Sequence, residues 1–338
     1  MSDSRPYKMS QHDAISVMAP ARLHLGFVDL NGARGRRFGS LGLGIEDLGI
    51  ELNASPHDSV EVSGPAAARA ADYARQLLTH HGIDRGVQLT IKHTIPEHAG
   101  LGSGTQLALA VGVAVARLYD LPAAPEQVAA ILDRGSRSGI GIGSFSHGGF
   151  IVDAGRGDDT LVPPVVSRLH FPEAWRLVLM FDPDCAGLSG PPERAAFENL
   201  PPMQPEVADR ISWLVLMQVL PAIAEADCAR FGDGISRIQQ YIGDYFAPVQ
   251  GGVFYSDRVA AAAEQLRAAG ATGIGQSSWG PTGFAVFPSE TQAHQALRGL
   301  RDAERLPDGL DIRICRGRNA PAEIQPDAAA ASRRLQGL

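Results

Sequence analysis

The run from Pro96 to Gln106, Pro-Glu-His-Ala-Gly-Leu-Gly-Ser-Gly-Thr-Gln, constrains this chain more than any other. A strand-like run, Val87 to Ile91, precedes it, and an apolar helical pattern follows from Gln106 to about Leu118. Strand, glycine-rich turn and helix N-terminus in that order make an anion site. Glycines let the backbone come close to a phosphate, while free N–H groups and the helix dipole favour negative charge. Ser103 and Thr105 add hydroxyls, Ser103 also as a metal contact. The plain alternative is a glycine turn with Thr105 as helix cap.

At 338 residues the chain is long enough for two domains or one two-lobed unit. A net charge of −7 argues against nucleic acid and against anionic lipid as partners. Cys185, Cys228 and Cys315 are far apart and odd in number, with no zinc spacing, which points to a reducing, cytoplasmic compartment. No apolar run approaches about 18 residues without polar interruption, so no membrane helix is expected. The polar start, Met1 to His12, lacks the apolar core of a signal peptide.

Patterning gives mixed α and β order. Strands are expected at Ala14 to Met18, Ile50 to Leu52, Ser59 to Val62, Gly148 to Asp153, Leu177 to Phe181, Phe284 to Phe287 and Asp311 to Cys315. Helices are expected over 65–81, 106–118, 125–134, 191–199, 206–226 and 228–242. The 106–118 helix is apolar on nearly every face, hence central and buried. Gly32 to Gly44, rich in glycine and carrying Arg34, Arg36 and Arg37, reads as a loop. Charge with Pro163 and Pro164 marks a boundary near 158–167, dividing the chain into 1–165 and 166–338.

Pro20 to Phe27, Pro96 to Gln106 and Gly275 to Phe284 together resemble the three motifs of the GHMP small-molecule kinase superfamily, Gly-Leu-Gly-Ser being its phosphate loop. The resemblance implies a two-domain α+β fold, with a ribosomal protein S5 domain 2-like N-terminal domain and a ferredoxin-like C-terminal domain. Mevalonate-type kinases also carry a Gly-Thr-Pro-Ser-Gly-x-Asp element whose aspartate handles the alcohol proton. The matching stretch here is Gly135 to Gly141, and Gly141 stands at the aspartate position. Glycine offers no general base.

Finer blocks resemble the β-ribofuranosylaminobenzene 5'-phosphate synthase family: Arg22-Leu23-His24, Asp29 to Gly32, Gly42-Leu43-Gly44, Gly102 to Gln106, Arg137 to Gly141, Gly187 to Gly190 with Glu193, Arg194 and Phe197, and Ser277 to Thr282. The resemblance implies that phosphoribosyl pyrophosphate (PRPP) couples to 4-aminobenzoate or 4-hydroxybenzoate. Carbon dioxide and pyrophosphate leave, and a C-riboside 5'-phosphate forms on the way to a tetrahydromethanopterin-type cofactor. It also implies Mg²⁺ and a homodimer. Pyrophosphate is expected on Gly100, Leu101, Gly102, Ser103, Gly104, Thr105 and Gln106, with Arg137, Ser138, Ser277, Ser278 and Thr282. Ser103, and more weakly Glu97, are the expected magnesium contacts. Arg22, His24 and Asp29 are the candidate catalytic set. The open alternatives are an ion pair for Arg22, a hydrogen-bonded core role for His24 and a turn cap for Asp29. Trp279 either stacks on an aromatic substrate or packs. His147 either lines the cleft or is buried structure, and Arg34, Arg36 and Arg37 form a basic lid or a solvated loop. Two other functions fit the scaffold: an ATP-dependent small-molecule kinase, which needs a carboxylate at the transferred phosphate, and a non-catalytic binding module, which would show an eroded phosphate loop.

Overall fold

The computed structural model describes residues 14–187, 195–196 and 199–327. Met1 to His12, most of the helix expected over 191–199, and Leu188 to Arg194 and Phe197 of the family block lie outside the described residues.

Two long antiparallel strands, β1 (Ile15–Asp29) and β2 (Phe38–His57), form the spine of a first sheet. The short strands expected at Ala14 to Met18 and Ile50 to Leu52 are stretches of these two. The loop expected from Gly32 to Gly44 ends at Phe38, because its later glycines are strand positions beneath close neighbours. A Cβ on Gly42 would lie 2.3 Å from Ile140 Cγ2 and 2.6 Å from the Leu23 carbonyl oxygen. The strands β3 (Glu61–Ser63), β4 (Gly86–His93), β5 (Phe150–Asp153) and β6 (Val165–Leu169) extend the sheet, β4 and β5 each pairing with a different half of β2. The division expected at 165/166 therefore falls at the first residue of a strand hydrogen-bonded into this first sheet.

The helices α1 (Ala67–His80) and α2 (Ser103–Leu118) pack together, and α2 also lies against β1 and β2. Every residue of α2 from Gln106 to Ala116 is buried, as its all-round apolar sequence requires. Short helices α3 (Pro125–Ile131) and α4 (Ile140–Ser146) complete the layer.

The second half opens with β7 (Arg176–Phe181). Its later elements are α5 (Pro205–Leu214), a π-helical turn Val215–Val219, α6 (Leu220–Ala224), α7 (Cys228–Gln250), α8 (Asp257–Ala268), β8 (Gly273–Gln276), β9 (Gly283–Phe287), α9 (Glu290–Asp302) and β10 (Asp311–Cys315). The order β10-β7-β9-β8, all antiparallel, is ferredoxin-like. Alternation along β7 serves two layers. Val178 and Met180 join α8 and α9 in a small core, whereas Leu177 and Leu179 face the large core shared with α7 and the first sheet. The strand β11 (Glu323–Pro326) returns to pair with the start of β1.

The continuous helical stretch Pro205–Ala224 is long and apolar enough to cross a membrane by length and composition, although Asp209, Arg210 and Gln218 interrupt it, in keeping with the reading that no uninterrupted apolar run of that length exists. Ala208, Ile211, Leu214, Val219, Ala222 and Ile223 are nevertheless buried in the large core. Trp213, Leu216 and Met217 are exposed. Pro221 supplies no N–H to the turn before it, which accounts for the π-helical geometry at Val215–Val219.

Candidate active site

The three motifs converge on one cleft of about 600 Å³. Gly100 and Gly102 both have positive φ, +76° and +79°. A Cβ on Gly100 would lie 2.3 Å from the Ser277 carbonyl oxygen, and one on Gly102 2.9 Å from Arg22 Cγ. The loop is thus wedged between the first and third motifs, where a side chain has neither the backbone conformation nor the room. No side chain caps the start of α2, so Thr105 is not the cap. Gly102, Ser103, Gly104 and Thr105 line the cleft there, and the first-turn N–H groups lack helical partners.

Positive charge surrounds this terminus. Arg22, Arg69, Arg134 and Arg137 line the cleft, and Asp133, exposed at its rim, is the one carboxylate among the described lining residues. Arg22 donates from Nη1 to the Gly100 carbonyl, and its backbone N–H bonds the Leu101 carbonyl at 3.1 Å. It binds the phosphate loop itself while facing the cleft.

His24 sits at a register shift of β1 against β2, between His24 and Gly26, a device that re-aims a side chain. It is 2% exposed, and neither ring nitrogen has a hydrogen-bond partner. Burial, then the charges of Arg22 and Arg137, hold its pKa well below 6.5, so the imidazole is neutral at pH 7. A neutral imidazole carries one donor and one acceptor. His24, Phe27, Ser278 and Trp279 also line a narrow slot with Ile242, Phe246 and Val253 and the glutamines Gln239, Gln250 and Gln276. Trp279 is packed edge-on to Phe246, with ring centroids 4.4 Å apart.

Of the expected residues, Arg22, His24, Gly100, Gly102, Ser103, Gly104, Thr105, Arg137, Ser138 and Ser278 line the cleft. The others are committed elsewhere. Asp29 Oδ1 accepts the N–H groups of Asn31 (2.6 Å) and Gly32 (3.0 Å), so it caps a turn, and it does not line the cleft. Leu101 is buried core. Gln106 donates from Nε2 to the Gly141 carbonyl at 2.7 Å, fastening α2 to α4 instead of meeting phosphate. Ser277 Oγ donates to the Gly100 carbonyl at 2.8 Å and accepts the His24 N–H at 3.0 Å, so it ties the three motifs together from beneath. Thr282 is buried away from the cleft, its carbonyl holding the Ser277 N–H at 2.9 Å. Glu97 pairs with Arg69 at 2.8 Å and does not line the cleft. His147 is exposed, and Arg34 pairs with Asp209 on the surface.

Sequence reasoning missed Arg69 on α1 and Arg134 after α3, which only the packing of those helices brings to the cleft. It also missed Asp153. This buried carboxylate accepts Ser40 N–H (3.2 Å), Gly139 N–H (2.8 Å), Gly155 N–H (2.8 Å) and Ser138 Oγ–H (3.4 Å), and so braces the loop that carries Arg137. Burial pushes its pKa up to about 6 against those hydrogen bonds.

The GHMP kinases N terminal domain family matches residues 66–149, and the GHMP kinases C terminal family matches 219–305. The beta-ribofuranosylphenol 5'-phosphate synthase of Methanothermobacter thermautotrophicus is 34% identical over 294 residues, spanning 80% of this chain and 88% of its own. The chain belongs to the β-ribofuranosylphenol 5'-phosphate synthase family. A family member from Archaeoglobus fulgidus is 34% identical over 336 residues, covering 92% of this chain and 99% of its own. The homoserine kinase of Cytophaga hutchinsonii, 20% identical with a TM-score of 0.66 over 95% of this chain and 100% of its own, shares the fold alone. This is therefore an enzyme family standing on a GHMP kinase scaffold.

Proposed function

We propose that this enzyme transfers the phosphoribosyl group of PRPP to 4-hydroxybenzoate or 4-aminobenzoate, making a C-riboside 5'-phosphate. The relatives' name specifies a ribofuranosylphenol product, which ranks 4-hydroxybenzoate first. The C1–O bond to pyrophosphate breaks as the ring carbon bearing the carboxylate bonds to C1. The carboxylate then leaves as carbon dioxide, and its electron pair restores aromaticity. No net proton is gained or lost, so the chemistry needs positioning and charge complementarity more than a strong base.

The observation that carries this reading is Gly141. A Cβ there would lie 3.0 Å from Thr105 Cγ2, so the place of the kinase aspartate is taken up by backbone packed against the phosphate loop. The described residues of the cleft offer four arginines for a departing pyrophosphate, and their one carboxylate, the exposed Asp133, is not at the position of the kinase aspartate. That disfavours the kinase, while the intact loop disfavours a binding module.

His24 is assigned to the para substituent. Its neutral ring accepts the acceptor's phenolic O–H, or pairs with its amine, at the junction of cleft and slot, and so supports electron donation into the ring. For Mg²⁺ the donor set is thin. Among the described residues no three His, Cys, Asp or Glu side chains converge, and Glu97 is held by Arg69. The residues fit an ion carried on the pyrophosphate with Ser103 as its protein contact, and not a resident ion on Glu97. Such an ion neutralises leaving-group charge. The homodimer belongs to the same proposal, as does its use of the exposed Trp213, Leu216 and Met217.

The test is carboxyl-labelled 4-hydroxybenzoate or 4-aminobenzoate with Mg²⁺ and either PRPP or ATP. Labelled carbon dioxide with PRPP alone, in step with pyrophosphate, is the expected result. No release from either acid removes the proposed reaction.

A further inference from the structure

A second cavity, of about 780 Å³, adjoins the cleft at Ser136 and Arg137. It lies between the segment 31–38 and residues 156–158. Arg36, Arg37, Arg137 and Arg156 line it, with Asp158 as the one carboxylate among the described lining residues. Arg36 is spent on structure, donating to the carbonyls of Ala154 (2.8 Å) and Gly155 (2.7 Å) and pinning the two segments together.

Arg37 and Arg156 are placed at a cost. They are direct antiparallel partners, each backbone N–H donating to the other's carbonyl at 2.9 Å. Residues so opposed project on the same face with Cβ atoms about 5.5 Å apart, and like charges there repel. Neither guanidinium forms an ion pair among the described residues, and Arg37 Nε is buried without a hydrogen-bond partner. Arg37 lies over the Phe38 ring, 5.2 Å from its centroid, a contact that holds the side chain without neutralising it. The Tyr245 hydroxyl sits against the Arg37 side chain and feels its charge. Two cations held face to face, with the buried Arg37 Nε beside them unmet, suit an anion. A dianionic phosphomonoester, with three acceptor oxygens, suits several arginines at once.

We propose that Arg37, Arg156 and Arg137 form a phosphomonoester site, separate from the phosphate loop and continuous with it. A ligand carrying two separated phosphate groups then spans both cavities. If the PRPP reading above holds, the pyrophosphate occupies the loop and the ribose 5'-phosphate occupies this second site.

The experiment is calorimetric titration of the full chain with two probes, ribose 5-phosphate and inorganic pyrophosphate, in the wild type, Arg37→Gln, Arg156→Gln and the double variant. Ribose 5-phosphate affinity is expected to fall at least tenfold in each single variant and about a hundredfold in the double, with pyrophosphate affinity within threefold of wild type. Melting temperatures are expected to hold or rise, since a repulsion is removed. Arg37→Lys and Arg156→Lys, which keep the charge and lose the planar fork, should recover part of the loss. Equal ribose 5-phosphate binding by wild type and double variant, equal weakening of both probes, or no ribose 5-phosphate binding by the wild type overturns the site. Probe binding that depends on these arginines in a protein that releases no carbon dioxide from either benzoate keeps the site and removes the proposed reaction. Carbon dioxide release with an unchanged KM for PRPP in the double variant does the reverse.

Discussion

The Gly100 carbonyl has two donors from two other motifs, Arg22 Nη1 from the first and Ser277 Oγ from the third. Either alone keeps that oxygen satisfied, and this makes a double-mutant cycle diagnostic. Ser277→Ala removes the acceptor of the buried His24 N–H, originally 3.0 Å away, and stranding such a group costs about 1–3 kcal/mol. Gly100 still has Arg22, so the single variant should lose about 2 kcal/mol. Arg22→Met keeps the aliphatic stem beneath Gly102 and leaves Gly100 to Ser277, at about 1 kcal/mol. In the double variant the carbonyl loses both donors, adding on the order of 1–2 kcal/mol beyond the sum of the singles. Urea unfolding of all four proteins at one pH, with m unchanged, measures this directly. Additivity within about 0.5 kcal/mol would show that the two donors do not share one acceptor, and the account of how the motifs lock would fall.

Three further outcomes follow from the same geometry. Gly141→Ala should cost about 1 kcal/mol or less, since only Thr105 must yield, whereas Gly141→Asp should weaken pyrophosphate binding at least tenfold and confer no ATP-dependent alcohol phosphorylation; kinase turnover in that variant would refute the reading of position 141. Asp153 has a folded pKa raised to about 6 from 3.8, so between those values the folded chain holds a proton that the unfolded chain has lost. Its contribution to stability therefore falls as pH rises through that window, by roughly 3 kcal/mol, and the difference in urea midpoint between wild type and Asp153→Asn should follow that slope; a flat difference counts against it. Because burial, Arg22 and Arg137 depress the His24 pKa, the acid limb of kcat should lie below 6.5 and move upward in Arg137→Gln, while His24→Phe should lower kcat at least a hundredfold and leave pyrophosphate binding intact; an unmoved limb removes His24 from the chemistry.

The parts of the fold most visible in the sequence are those in which one local pattern decides the outcome. Leu177 to Phe181 and Asp311 to Cys315 read as strands and are strands, and the apolar helix after the phosphate loop is buried as expected. That helix begins at Ser103, three residues before its apolar pattern, because Ser-Gly-Thr looks like loop while forming the first turn. Gly39, Gly42 and Gly44 mislead for the opposite reason: they suggest a turn, but they serve close approach inside a long strand. In the site, the sequence motifs point to the glycine-rich turn and Arg22, and the fold brings both to the cleft. The directions of polar side chains were not. Asp29, Gln106 and Ser277 carry the right chemistry for a ligand and spend it on backbone groups of their own chain. Arg69 and Arg134 carry no local signal, since helix packing alone turns them toward the cleft.

The pairing of β11 with β1, Ile15 to Met18 against Glu323 to Pro326, has a consequence for synthesis. β1 leaves the ribosome long before β11, and meanwhile its outer edge presents unpaired N–H and C=O groups, the kind of edge on which chains associate wrongly. The two halves are therefore poor candidates for separate expression: a fragment ending near residue 165 lacks β11 and most of β6, and one starting there carries β11 without its template. Any tag or truncation that disturbs Glu323 to Pro326 should show first as loss of soluble yield, before any change in the chemistry of the cleft.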